Sequence, residues 1–175
     1  MMRLELQQRG LLDLIKTRGA LPDDPYLRRV ADSCELGMVR KIAVWWRKSQ
    51  VEAQCRYTAR LLKRLGYFDT LVAAYFNNHA TSSFIEELGR DFLSSLRVHH
   101  DPLIVAVSQS EYAFLNVRAG SAEAFQIVWD RHPDLVFLAL ERGSELPASE
   151  PGSLYRMRIA RDLPHMVTCT REFTL

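Results

Sequence analysis

The stretch from Leu61 to Val117, LLKRLGYFDTLVAAYFNNHATSSFIEELGRDFLSSLRVHHDPLIVAVSQSEYAFLNV, decides the fold class, because each of its segments has a visible start or stop. Gly66 can end a first helix, since glycine tolerates the left-handed cap conformation. Phe68, Leu71, Val72, Tyr75 and Phe76 then recur at helical spacing. Ser83 and Glu86 have the spacing of a capping box, with Ile85, Leu88, Phe92 and Leu96 as the apolar stripe behind it. Asp101-Pro102 is a second start: a side-chain acceptor at the cap, then a ring whose fixed φ suits the first turn. Leu103, Val107, Ser110, Phe114 and Val117 follow at steps of three and four. The stretch is a helical scaffold and contains no catalytic signature.

Working towards the N-terminus, Leu4, Leu11, Leu12 and Ile15 predict a helix closed by Gly19 and Pro22. Asp24 and Pro25 predict the start of another. From there to Gly66 the pattern stays helical, through Leu36, Val39, Ala43 and Trp46, then Val51, Cys55, Thr58, Leu62 and Leu65. That is too long for one globular helix, so a break is expected near Gly37 or around Lys48-Ser49-Gln50. Trp46 belongs to the stripe and is expected in the core.

Towards the C-terminus the period changes after Arg118-Ala119-Gly120-Ser121. Residues 125–129, FQIVW, read as a strand. His132-Pro133 opens a short helix that Gly143 closes. Leu154–Ala160 and Met166–Phe173 each alternate apolar and polar residues around the turn at residues 161–165, which makes a hairpin. The expected fold is therefore α+β: an N-terminal all-α bundle over residues 1–119, then a small β-α-β-β module over residues 120–175.

With 175 residues there is enough chain to bury a core, and 47% hydrophobic with 25% charged residues is an ordinary globular balance. No apolar run approaches the roughly 20 residues of a membrane-spanning helix. The opening MMRLELQQRG lacks the apolar core of a signal peptide, and three widely spaced cysteines suit a reducing compartment, so a cytoplasmic protein is expected. The histidines form no ligand pattern, so no metal is expected in this chain. Charge is uneven: residues 28–64 hold ten Lys/Arg against three acids, whereas residues 120–175 hold six basic and eight acidic side chains. A basic face of that kind suits an acidic partner, nucleic acid or protein.

The constellation Leu65-Gly66-Tyr67-Phe68, Tyr75 to His79, Ser82-Ser83, Gly89, Phe92-Leu93 and Glu111-Tyr112 resembles a family described as a putative DNA-binding domain. Its members are accessory partners of multinuclear non-haem iron-dependent oxidases. The likeness covers roughly residues 60–118, and the YRMRIARDLPHMVTC hairpin is similar to the C-terminal module of such peptide-modifying partners. The N-terminal third carries no motif of the family. The resemblance implies a non-catalytic subunit for modifying ribosomally made peptides, similar to the partner in the 3-thiaglutamate pathway, where a carrier peptide's cysteine is modified. It also implies a heterodimer in which the oxidase, not this chain, holds the iron.

Candidate residues follow, each with a plainer alternative. Leu154–Ala160, read as an edge strand, can add an extended peptide to the sheet while Tyr155, Arg156, Arg158 and Arg161 select its side chains. Arg156 and Arg158 can equally be charges that guard an edge against aggregation. Trp45, flanked by Arg47 and Lys48, is a candidate anchor for the partner oxidase, or else boundary packing. The basic helical face of residues 28–64 leaves a DNA-binding regulator as the alternative function. Cys169 with Asp162 and His165 is a conceivable thiol nucleophile, and His99-His100 a conceivable metal contact. No independent catalysis is expected.

Overall fold

Asp24 starts a helix as its side chain predicts: Oδ1 accepts the N–H groups of Tyr26 and Leu27 at 2.8 and 3.2 Å. The computed structural model describes residues 2–16, 23–79 and 85–173. Gly19, Pro22 and Ser82-Ser83, and with them the expected helix stop and capping box, lie outside the described residues. The protein is a mixed helix and sheet fold, mostly helical, with a three-stranded antiparallel sheet. The chain divides into two compact units, Met1–Ser49 and Gln50–Leu175.

The first unit contains α1 (Met2–Ile15), α2 (Pro25–Ala31) and most of α3 (Cys34–Gln54). Arg40 ties α3 to α1, its Nε and an Nη donating to the Leu14 carbonyl at 3.0 and 2.7 Å, so that a cation satisfies a helix C-terminus. Among the described residues of this unit, only Leu27 and Leu36 are buried apolar side chains. Trp46, expected in the core, is 44% exposed. Helical spacing marks a stripe but not whether another element covers it: the unit's buried apolar side chains are in α2 and the first turn of α3, and Trp46 lies ten residues further along.

The expected helix break also falls elsewhere. The α3 helix runs unbroken through Gly37 and residues 48–50, and the interruptions are at Asp32-Ser33 and at Cys55. Cys55 takes φ −111° and ψ 54°, and α4 (Arg56–Arg64) restarts after it.

In the second unit α5 (Phe68–Asn78), α6 (Ile85–Ser95) and α7 (Pro102–Arg118) follow α4. Asp101 caps α7 through Leu103 N–H at 2.8 Å. The α7 helix packs against α4 and α6, and also against β1 (Phe125–Trp129) and β2 (Ser153–Ile159). Helix α8 (Pro133–Arg142) lies between them in sequence, and β3 (Val167–Phe173) completes the sheet in the order β1-β2-β3. One core runs from Phe92, Leu61, Leu62 and Val107 to Trp129, Val136, Met157 and Ile159. The boundary expected at residues 119 and 120 therefore falls inside this unit, whose helices and sheet share that core.

Candidate functional site

Residue alternation fixes what each side chain of β2 can do. Tyr155, Met157 and Ile159 are buried against the helices, whereas Arg156 and Arg158 point to the opposite face. The Tyr155 hydroxyl donates to Glu150 Oε2 at 2.9 Å, and burial together with that carboxylate raises its pKa. Arg156 is held in a bidentate pair with Glu172 of β3 at 2.8 and 2.9 Å, which raises the guanidinium's pKa and lowers the carboxylate's. Arg158 lies 3.8 Å from Asp162, and Arg161 is exposed in the hairpin turn.

The reading of Leu154–Ala160 as an edge strand is corrected by the register. β2 is the central strand, with Met157 opposite Ile127 on one side and Cys169 on the other, so its backbone is committed twice. A peptide cannot add to it. The outer strands are β1 and β3. Every described residue of β3 after Val167 is exposed, on both faces, out to Phe173 at 72%. Both outer strands have an unpaired backbone edge among the described residues, and β3 is the one whose side chains are exposed on both faces.

Helix α3 carries the second feature. Met38, Val39, Ile42, Val44, Trp45 and Trp46 are all exposed, Trp45 at 67%. Trp45 and Trp46 point about 100° apart around the helix, so the apolar surface wraps two of its faces. Arg47 and Lys48 are each already engaged in an interaction within the chain.

The basic stretch is mostly built into the fold. Arg28 pairs with Asp23 at 2.9 Å, Lys63 with Glu52 at 2.7 Å, and Arg56 with Glu141 at 3.4 Å. Arg60 donates to the Leu140 and Glu141 carbonyls, and Arg64 to that of Ser144, which satisfies the C-terminal end of α8. With Arg40, Arg47 and Lys48, eight of the ten basic side chains have an internal partner.

Glu111 is the residue whose role the motif did not reveal. It is buried on α7, and its Oε1 and Oε2 accept the N–H groups of Tyr57 and Thr58 at 3.0 and 2.9 Å. A carboxylate from one helix thus caps the N-terminus of another, where the helix dipole favours negative charge. Burial nevertheless outweighs those hydrogen bonds and raises its pKa. A lone acid in the otherwise uncharged run of residues 102–117 was the available signal.

Neither Cys169 nor Cys55 has the surroundings of a thiolate nucleophile. Burial, then the Asp134 charge, raises the Cys169 pKa, the opposite of what thiolate chemistry needs. Cys55 is buried, donates to the Gly89 carbonyl at 3.5 Å, and is raised further by burial and by Glu111. The His99 and His100 rings stack at 4.3 Å, and His99 Nδ1 accepts the Asp101 N–H at 3.1 Å. Burial, then His100, lowers the His99 pKa. Among the described residues no group of three His, Cys, Asp or Glu could hold a metal ion, and no helix is long and apolar enough to cross a membrane.

No protein-family model, curated protein or solved structure matches this chain. The likeness to the oxidase partners over residues 60–118 therefore rests on the motifs quoted above.

Proposed function

We propose that this protein is a non-catalytic accessory subunit that binds an iron-dependent oxidase and positions a ribosomally made peptide for modification of a cysteine. The observation that carries the reading is the exposed apolar surface of α3, with Met38, Ile42, Trp45 and Trp46 in water. Contiguous exposed apolar surface of this kind marks a protein partner, and exposed tryptophan is the commonest interface anchor. The oxidase would supply the iron and the redox chemistry. The C-terminal sheet acts as the peptide-recognition module, with the free edge of β3 in place of β2 as the docking strand. An extended peptide there gains a ladder of backbone hydrogen bonds, and Thr168, Thr170 and Phe173 are the exposed neighbours of its side chains. The protein works in the cytoplasm, beside the ribosomal product it presents.

The test is co-expression with a multinuclear non-haem iron-dependent oxidase from the same genome, followed by size-exclusion chromatography and peptide oxidation with and without this chain. Co-elution as a heterodimer, with oxidation that requires both chains, is the expected result. Trp45→Ala combined with Ile42→Asp should abolish co-elution while leaving the helical circular dichroism intact. Separate elution, together with an oxidase that works alone, overturns the reading.

A further inference from the structure

The capped N-terminus of α4 forms one wall of a cavity of about 920 Å³ within the second unit, in the size range that takes a small ligand. Tyr57, Phe114, Leu115 and Phe137 give it apolar walls, and the Tyr57 and Phe137 rings meet edge to face at 5.0 Å. Three arginines line the same space: Arg56 from α4, Arg90 from α6 and Arg118 from the last turn of α7. Arg56 is shared with Glu141 at 3.4 Å, both side chains half-exposed, so that pair holds it weakly. Arg90 and Arg118 have no ion-pair or hydrogen-bond partner among the described residues.

Glu111 is the cavity's acid, and both its oxygens are already taken by the Tyr57 and Thr58 amides. With Arg56 offset by Glu141, Arg90 and Arg118 against the one acid leave the space formally positive. The cations stand beside aromatic walls, which selects the kind of anion. A bare phosphate would satisfy the guanidiniums and leave Tyr57, Phe114 and Phe137 facing water. A carboxylate carrying an apolar body satisfies both, because the planar fork of arginine matches a carboxylate and the rings take the body.

We infer that this cavity binds a carboxylate attached to an aromatic or aliphatic body, with the carboxylate on Arg90 and Arg118 and the body between Tyr57, Phe114 and Phe137. The source is either a free organic acid or the C-terminal residue of a peptide chain. The inference does not depend on the accessory-subunit reading, and the purified chain alone tests it.

The experiment titrates the 15N-labelled protein with N-acetyl-phenylalanine and with its neutral amide, following backbone amide shifts by NMR. Tetraglycyl-phenylalanine, its amide, and inorganic phosphate are run beside them. Shifts concentrated at Tyr57, Thr58, Phe114 and Leu115 are expected, with the acid bound roughly tenfold or more tightly than its amide. The double variant Arg90→Gln with Arg118→Gln should remove that preference, and Arg118→Gln alone, at an exposed position, decides the matter if the pair does not fold. Equal binding of acid and amide, shifts scattered outside the cavity, displacement by phosphate at equal concentration, or indifference to the variants overturns the proposal. If tetraglycyl-phenylalanine binds more tightly than the single residue, the source is a chain terminus. If the two bind equally, it is a free acid.

Discussion

Gly89 and Gly37 are both glycines inside helices, and their surroundings predict opposite outcomes for the same substitution. A Cβ on Gly89 would stand 2.9 Å from Gln54 Cβ, where the Gly89 N–H already donates to Gln54 Oε1 at 3.0 Å. Gly89→Ala should therefore destabilise the second unit by about 1–3 kcal/mol in urea unfolding, as overpacking does. Nothing lies within 4 Å of a Cβ on Gly37, so Gly37→Ala should stabilise α3 by about 1 kcal/mol, read from its helical thermal transition. Glu111 makes a pH prediction. Its folded pKa is raised, so the protein gains stability from this group below the ordinary carboxylate range and loses it as pH rises through the folded value. In Glu111→Gln the titration is gone, and the amide's NH2 meets a backbone N–H at one of the two capping positions. The stability difference between the two proteins should therefore shift in favour of Glu111→Gln as pH rises above the ordinary carboxylate range, read from urea unfolding over a pH series.

At the scale of elements, the fold uses the caps that Asp24, Asp101, Gly66 and Gly143 offer. Asp101 accepts from the first turn of α7, and Asp101→Ala should cost about 1 kcal/mol of stability in urea unfolding, the usual worth of such a cap. Gly143 ends α8 at φ 70°, and Gly66 sits at φ 76° after α4, both in the left-handed region that favours glycine. The break between α3 and α4 was not legible, because no local residue makes it. Cys55 leaves helical geometry where the carboxylate of Glu111, more than fifty residues later in the chain, takes the amides of Tyr57 and Thr58. The strands tell the same story. Alternation in residues 154–160 and 166–173 shows the hairpin, but alternation is blind to which strand lies in the middle. Pairing with β1 put β2 there and left the free edges to β1 and β3.

At the scale of the whole molecule, burial separates the two units by their capacity to fold. Residues 50–175 bury a continuous core from Val51 to Ile159, whereas the described part of residues 1–49 buries only Leu27 and Leu36. A chain of residues 50–175 should unfold cooperatively in urea with its sheet signal intact, and a peptide of residues 1–49 should lose most of its helix when isolated. Retained cooperative helix melting in that peptide would contradict the burial argument. The sequence by itself determined the mixed helix and sheet composition, the starts of α2, α7 and α8, the stops of α4, α7 and α8, and the helical spacing of the apolar residues in α5 and α7. Those features depend on residues within a turn or two of one another. It also placed Trp45 and Trp46 on different faces of α3. Tertiary structure alone decided that Trp46 is exposed, that Arg60 and Arg64 cap α8 instead of meeting phosphate, and that Arg56, Arg90 and Arg118 line one cavity. Each of these depends on pairing groups from distant elements. Local period and spacing do not encode which distant helix a charged side chain will meet.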